Sequence, residues 1–154
     1  MRIPISLLAA ALLATPIAAC HADAQKSAAT AKALMPISIA TATGAHKFSV
    51  EVARTNEEQA RGLMFRTSLP KDGGMIFPYE PARPASFWMK NTLIPLDMIF
   101  IRADGSIARI ADNTVPESLE PVSSGEPVAA ILEIAGGRSA ELGISEGDNV
   151  SWPH

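Results

Sequence analysis

Residues 87–100, FWMKNTLIPLDMIF, decide the fold because they end in a strand that is apolar on both faces. This strand, LDMIFI, covers residues 96–101. Alternation along it puts leucine, methionine and phenylalanine on one face and Asp97 with two isoleucines on the other. A strand with two apolar faces is usually central and buried in its sheet. The sequence therefore predicts a buried central strand that carries one charged residue, Asp97.

Other segments of the chain show strand patterns as well. Residues 36–54 alternate apolar and polar side chains on both sides of a turn at Gly44, which predicts a first antiparallel hairpin. The LDMIFI strand is followed by a turn at Gly105 and a returning strand, so a second hairpin is expected. Residues 128–134, VAAILEI, form another strand that is apolar on both faces. Six to eight short strands in all predict a mainly β fold, a compact sandwich or barrel.

One short α-helix is expected directly after the first hairpin. Thr55 is a good N-cap, and Glu58 lies three residues later, which is the spacing of a capping box. The helix should run over residues 56–64. Glu57 and Arg61 then lie four positions apart, where an ion pair is possible.

Loops are predicted where turn-forming residues cluster. Residues 78–84, PYEPARP, contain three prolines, so this segment should be a semi-rigid excursion rather than a central strand or a helix. Residues 113–127 contain three more prolines and predict a long polar loop. A short helical turn should end at Gly143.

The beginning of the chain predicts export. Residues 1–20 have a basic residue, an apolar run and small residues at the end, which is the layout of a signal peptide. The last four, IAAC, resemble a lipobox, which would make Cys20 the lipidated first residue of the mature protein. Ordinary cleavage after the sequence ADA at 22–24 is the alternative. Residues 21–35 predict a flexible tether, and residues 36–154 a single β-rich domain in the periplasm, anchored to a membrane through a lipid on Cys20.

Composition excludes several kinds of site. The chain has 1 cysteine, at position 20, so the folded domain has no disulfide, cysteine nucleophile or thiolate metal site. The formal net charge is -3 at pH 7, which gives no electrostatic case for a nucleic-acid partner. We expect no metal and no cofactor, and membrane contact only through the lipid.

Five motifs, RGLMFR, GGMIF, FWMKNTLIPLDMIF, LEIAGG and GISEGD, resemble the signature blocks of the domain of unknown function 192 family. The resemblance covers about residues 48–150 and implies a compact β fold of jelly-roll-like type, without an established activity. The matching positions are Arg61, Gly62, Leu63, Met64, Arg66, Gly74, Met75, Phe77, Phe87, Trp88, Met89, Asn91, Thr92, Pro95, Leu96, Asp97, Phe100, Leu132, Glu133, Gly147 and Asp148. Members of the family often carry a tyrosine where this chain has Val122, so any site that uses this tyrosine is altered here.

Two acids, Asp97 and Glu133, stand in the two strands that are apolar on both faces. Because burying an isolated carboxylate is very costly, each acid needs a partner. The simpler interpretation is that backbone N–H groups or an arginine satisfy each acid. The alternative is that the two acids converge with Lys90, Arg61 or Arg66 in one pocket.

Other polar and aromatic residues of the motifs are candidate ligand contacts, each with a structural alternative. Trp88 would be a stacking platform or a core residue. Lys90 and Asn91 belong to a KNT triplet that is a recognition element or a turn. Met64, Met75, Met89 and Met98 are thioethers suited to Cu(I), although methionine more often fills gaps in a core.

The sequence thus favours a non-enzymatic binding or accessory module of the envelope for a small polar or glycan-like ligand. Its candidate binding residues are Arg61, Arg66, Trp88, Lys90, Asn91, Asp97 and Glu133. One alternative is a hydrolytic enzyme that uses Asp97 and Glu133 as catalytic acids, although common motifs such as HExxH are absent. A second alternative is Cu(I) handling by the methionines.

Overall fold

Residues 33–153 are described in a computed structural model of the chain. The predicted signal segment 1–20 with its lipidation site Cys20, and residues 21–32 of the predicted tether, lie outside them. The elements in chain order are β1 (Met35–Thr41), β2 (Gly44–Val52), α1 (Asn56–Arg61), β3 (Gly73–Phe87), β4 (Leu96–Ile101), β5 (Ile107–Ala111), β6 (Val122–Ala135), α2 (Arg138–Leu142) and β7 (Asn149–Ser151).

The seven described strands form one sheet in the order β5-β4-β6-β3-β2-β1-β7. All neighbours are antiparallel except β2 and β3, which run parallel. The sheet curls so far that its two edges meet, since Ser106 beside β5 forms a bridge with Asn149 of β7. The mainly β prediction is confirmed, and the curl joins the two edge strands, which an open sheet would leave unpaired.

The two faces of the sheet bury two separate cores. The inner core gathers side chains from all seven strands, including Ile39, Val50, Ile99, Leu132 and Val150, which only the concave face of a curled sheet can do. The outer core lies on the opposite face of β3, β4 and β6. It consists of Ala53, Leu63, Met75, Phe77, Ala85, Met89, Leu96, Met98, Phe100, Val128 and Ile131. β4 faces both cores and is buried at all six positions, as the sequence predicts for a central strand.

The parallel pairing of β2 and β3 explains how the outer core is covered. Two parallel neighbours need a crossover connection, because the chain must return to the starting end of the sheet. Residues 53–72 make this crossover, and they contribute Leu63 to the outer core. The capping box of Thr55 and Glu58 starts α1 as predicted. The helix ends at Arg61 rather than at residue 64, because Gly62 adopts a φ of 47°.

The proline-rich segment 78–84 lies within β3, so the prediction that it is not part of a central strand is wrong. The predicted excursion of residues 78–84 is present as a bulge in β3. Pro78 pairs with Ala130 and Arg83 with Val128, so β3 advances five residues while β6 advances two. Pro81 is among the extra residues of β3 that leave the ladder, so the sheet needs no hydrogen bond from it. Pro78 and Pro84 stay in the register, opposite Ala130 and Pro127.

The predicted loop 113–127 is also shorter than expected, because β6 begins at Val122. Polar residues are tolerated there because Ser124 takes part in the pairing with β3: its hydroxyl accepts a hydrogen bond from the Ala85 N–H at 3.0 Å. The short helical turn α2 ends at Gly143, as predicted. Within residues 33–153, neither helix is long and apolar enough to cross a membrane.

Candidate functional site

The two acids lie on opposite faces of the sheet. In the register between β4 and β6, Asp97 is paired with Ile134, and Met98 is paired with Glu133. Paired residues share a face and successive residues alternate, so Asp97 points toward the inner core and Glu133 toward the outer core. The alternative interpretation, in which the two acids converge in one pocket, is therefore wrong.

Asp97 is fully buried and is held by three backbone N–H groups. Its Oδ1 accepts hydrogen bonds from the N–H of Asn113 at 2.7 Å and of Gly137 at 2.8 Å. Its Oδ2 accepts one from the N–H of Ser139 at 2.7 Å. These donors come from the chain after β5 and from the start of α2. The simpler interpretation is thus the right one for Asp97, which ties three elements together.

Glu133 has no such partners. It is only 4% exposed, and within the described part of the chain no side chain or backbone group forms a hydrogen bond or an ion pair with its carboxyl. Its neighbours across the two adjoining strands are Met75 and Met98. Burial raises the pKa of the Glu133 carboxyl from 4.5 to about 8. The group is therefore mostly protonated at neutral pH, and it can both donate and accept a hydrogen bond.

A cavity of about 110 Å³ lies over Glu133, between the sheet and the crossover. Its walls come from α1 and the turn that follows, from the end of β3, and from the segment after β3. They consist of Gln59, Ala60, Arg61, Gly62, Leu63, Met64, Phe77, Ser86, Phe87, Trp88 and Thr92. Glu133 lines the cavity as well and is the one acid among its lining residues. We call this space the Glu133 cavity.

Two loops, at residues 62–66 and 87–95, border the Glu133 cavity, and a third, at residues 113–120, is hydrogen-bonded to the second. We call the three the mouth loops. Backbone hydrogen bonds join them: Phe65 N–H donates to Asn91 C=O at 2.8 Å, and Met89 N–H donates to Ser118 C=O at 3.0 Å. The mouth loops therefore form one connected surface rather than three independent loops.

The mouth loops carry the strained backbone of the domain. Within the described residues, four non-glycine residues have positive φ: Phe65 at 63°, Asn91 at 56°, Asn113 at 48° and Glu117 at 59°. All four lie in the mouth loops. Such conformations cost on the order of 1–3 kcal/mol each and persist where the surroundings enforce them, often at functional sites.

The mouth loops also expose large apolar side chains. Phe65, Trp88, Leu93, Val115 and Leu119 are between 44% and 69% exposed. Among the described residues, the one other large apolar side chain exposed to this degree is Leu34. Concentration of exposed apolar side chains on one surface is typical of a binding site.

The structure brings together three of the predicted site residues. Arg61, Trp88 and Glu133 line the same cavity. The ammonium of Lys90 lies 5.0 Å from the centre of the Trp88 ring. Arg66 instead pairs with Glu51 at 2.6 Å.

The KNT triplet forms a turn, as its structural interpretation predicts. The Thr92 N–H donates to the Met89 carbonyl at 3.0 Å, and the Thr92 hydroxyl donates to the Lys90 carbonyl at 3.3 Å. Asn91 takes the positive φ that this turn requires, and its amide reaches the sulfur of Met64 at 3.8 Å. Lys90 and Asn91 are consequently placed beside the cavity by the turn itself.

The methionines mainly fill the outer core. Met75, Met89 and Met98 are buried among its apolar side chains. The Met89 sulfur accepts a hydrogen bond from the Thr114 hydroxyl at 3.2 Å. Residues 33–153 contain no group of three or more His, Cys, Asp or Glu side chains placed to hold a metal ion.

Sequence reasoning missed the apolar side chains of the mouth loops. Phe65, Leu93, Val115 and Leu119 were not among the candidate site residues. A signal for two of them was present, since Val115 and Leu119 are the large apolar residues of the polar segment NTVPESLEP. Large apolar residues in a predicted surface loop have no core to enter and indicate a contact surface.

These features define a class of protein: a domain with one curled, mixed seven-stranded sheet and a small cavity, lined by a buried acid, on the outer face of the sheet. The chain belongs to the domain of unknown function 192 family (DUF192, "Uncharacterized ACR"), whose family model matches residues 38–152.

Two crystal structures are similar to this chain. One is a protein of unknown function from Novosphingobium aromaticivorans, with 48% sequence identity, a TM-score of 0.76, and coverage of 77% of this chain and 85% of that one. The other, from Sinorhizobium meliloti, is provisionally named a transcription regulator. It has 41% identity and a TM-score of 0.76, with coverage of 79% of this chain and 95% of that one. No match was found among curated proteins.

Proposed function

We propose that this domain is a binding module that takes a small polar group of its ligand into the Glu133 cavity. The observation that carries the proposal is the position of Glu133, a buried acid without a hydrogen-bond partner among the described residues, which lines a cavity beside the exposed Trp88. The carboxyl oxygens of Glu133 are reached from the cavity, so a ligand that enters it can form a direct hydrogen bond with this acid.

The surroundings of the cavity favour a ligand with an apolar part as well. A cavity of about 110 Å³ holds only a small chemical group, so the rest of the ligand would lie on the mouth loops. Trp88 and Phe65 are aromatic and exposed there, and aromatic rings stack well on sugar rings and peptide side chains. The proposed ligand is therefore a glycan-like or peptide-like molecule with one small polar group that enters the cavity.

A hydrolase that uses Asp97 and Glu133 together is not supported. Such an enzyme needs both carboxyl groups on one substrate, within about 10 Å of each other in an open cleft. Asp97 faces the inner core, and three backbone N–H groups occupy its oxygens. The proposal is accordingly a binding role without catalysis by this pair of acids.

The charge of this chain does not support a role like the one in the name of the Sinorhizobium meliloti relative. DNA binding depends largely on basic side chains that neutralise phosphates. This chain has 13 basic and 16 acidic residues. Its charge balance supports a ligand other than nucleic acid.

We propose in addition that the domain acts in the bacterial envelope, anchored through a lipid on Cys20. The support is the lipobox-like sequence IAAC in residues 17–20. The test is membrane fractionation of cells that express Cys20→Ser. Release of this variant into the soluble periplasmic fraction is expected, whereas equal membrane retention of both forms would contradict lipid anchoring.

The binding role is tested by a thermal-shift screen of the full-length protein against envelope glycan fragments and short peptides. A ligand at 100 times its Kd stabilises the folded state by about 2.7 kcal/mol, which is easily measured. We expect the shift to vanish in Glu133→Met, which keeps the volume of the side chain but removes its hydrogen bonds. It should weaken in Trp88→Ala.

Matched controls identify the cavity as the site. Glu57→Gln removes an exposed acid outside the cavity, and Leu34→Ala removes an exposed apolar side chain outside the mouth loops. Both should bind as the unaltered protein does. If Glu133→Met and Trp88→Ala retain every ligand-induced shift, the Glu133 cavity is not the binding site.

A further inference from the structure

We propose that the group that enters the Glu133 cavity is the carboxylate of a small organic acid. This inference rests on the binding role proposed above and specifies the chemical class of its ligand. It follows from the charges around the cavity, from the hydrogen bond that Glu133 has available, and from the size of the space.

The charged side chains around the cavity favour an anion. Arg61 lines the cavity and forms no ion pair or hydrogen bond within the described residues, and the ammonium of Lys90 contacts only the ring of Trp88. Arg66 and Arg138, by contrast, each pair with an acid. Two cations without acid partners beside a cavity provide charge complementarity to an anionic group.

Glu133 supplies the hydrogen bond that a carboxylate needs. In its neutral form the carboxyl O–H donates to an oxygen of the ligand, so the two carboxyl groups share one proton. At a pH where Glu133 is already protonated, binding of the carboxylate takes up no proton from the solvent. When Glu133 is ionised, binding takes up one proton. An ammonium ligand would need ionised Glu133, and it would meet the positive charge of Arg61.

The other titratable groups near Glu133 do not interfere with this arrangement. Tyr79 of β3 interacts electrostatically with Glu133. Burial raises the pKa of its phenol above the ordinary value of 10.0, so Tyr79 is neutral at the pH values at which Glu133 ionises. The guanidinium of Arg83 lies over the Tyr79 ring, 4.3 Å from its centre, and adds a further positive charge on this side. Between pH 6 and 9, Glu133 is the group whose ionisation controls binding.

The size of the cavity limits the acid. An apolar protein cavity of about 150 Å³ holds benzene. The Glu133 cavity is smaller, about 110 Å³. Its mixed walls include the apolar side chains of Leu63, Phe77 and Phe87, which suit a short hydrocarbon chain behind the carboxylate. The group that fits is an acid of about two to four carbons, free or at the end of a larger ligand.

The test is calorimetric titration of the full-length protein with three probes of one size: propionate, propionamide and propylammonium, at constant ionic strength. We expect propionate to bind most tightly at pH 6.5. Its Kd should rise as the pH passes through 8, approaching about tenfold per pH unit, because binding then requires a proton. Glu133→Gln should still bind propionate, since its amide donates a hydrogen bond, but without this pH dependence.

A second pair of variants tests the charges. Arg61→Gln should weaken propionate binding about three- to fivefold, as expected for one partly screened charge, whereas Glu57→Gln should leave it unchanged. Tightest binding of propylammonium, affinity for propionate that rises with pH through 8, or loss of propionate binding in Glu133→Gln would each overturn the carboxylate inference. So would failure of all three probes to bind. In each case the thermal-shift screen with Glu133→Met separately decides the binding role.

Discussion

Asp97 and Glu133 occupy neighbouring strands of one sheet, in nearly the same register, yet their surroundings are opposite. Asp97 faces the inner core and accepts three backbone hydrogen bonds. Glu133 faces the outer core between Met75 and Met98, without a hydrogen-bond partner in the described part of the chain. One residue of register separates an acid that holds the fold together from an acid that is available to a ligand.

The comparison shows that burial of an acid in a central strand does not by itself indicate its role. Both side chains are at most 4% exposed. What differs is the number of hydrogen-bond donors that the neighbouring elements present. α2 and the turn after β5 deliver N–H groups to Asp97, whereas the crossover and the mouth loops leave a cavity in front of Glu133.

The largest effect is expected from Asp97→Ala. Removing the carboxylate leaves three N–H groups without an acceptor, each unfavourable by about 1–3 kcal/mol, so the free energy of unfolding should fall by about 5 kcal/mol. Urea denaturation of the full-length protein measures this free energy. Asp112→Ala, which removes an exposed acid, should change the free energy of unfolding by less than about 0.5 kcal/mol. Similar values for the two variants would show that Asp97 does not stabilise the fold.

The second effect is a pH dependence that belongs to Glu133. The pKa of its carboxyl rises from 4.5 to about 8 on folding, so the folded state binds more protons than the unfolded state between these values. The contribution of Glu133 to stability is therefore lost progressively as the pH rises from 4.5 to 8, by roughly 1.4 kcal/mol per pH unit, and is constant above that range.

Glu133→Gln removes this dependence. At pH 8 the variant should be more stable than the unaltered protein by roughly 4 kcal/mol. At pH 5 the two proteins should have nearly the same unfolding free energy. The check is the difference between the two unfolding free energies at a series of pH values. A constant difference across pH 5–8 would mean that Glu133 is not an unpaired buried acid.

The smallest effect concerns Ser139, which serves Asp97 through its backbone alone. Its N–H donates to Asp97, while its buried hydroxyl has no hydrogen-bond partner among residues 33–153. Ser139→Ala keeps the N–H and removes the unsatisfied hydroxyl, so it should raise stability by about 0.5–1 kcal/mol. A clear loss of stability in thermal unfolding would show that the hydroxyl takes part in holding Asp97.

Much of the fold follows from the sequence, because the local patterns are strong. The alternation in the first hairpin, the two apolar faces of LDMIFI and the capping box at Thr55 each predict an observed element. The prolines of 78–84 misled because a central strand tolerates proline at a bulge: Pro81 leaves the ladder there, and Pro78 and Pro84 pair next to the shifts in register. Such a bulge depends on the partner strand, which local sequence does not reveal.

The site was predicted less completely than the fold. Glu133 was a candidate as an acid in an apolar strand and Arg61 as a cation of one motif, whereas for Trp88 the sequence left a stacking platform and a core residue open. That Asp97 and Glu133 would diverge could not be predicted, because their relative orientation depends on the register between β4 and β6. The mouth loops meet only in three dimensions, through hydrogen bonds between segments distant in the chain.

The most direct test of the central claim is a pH titration of the Glu133 carboxyl carbon by ¹³C NMR, with Glu133→Gln used to assign the signal. We expect a midpoint near the pKa of about 8 that burial without a partner produces, and a midpoint that moves when a ligand of the cavity is added. A midpoint at the ordinary value of 4.5 would contradict the account. It would mean that the carboxyl is solvated or paired, and that the cavity over it is not held ready for a ligand.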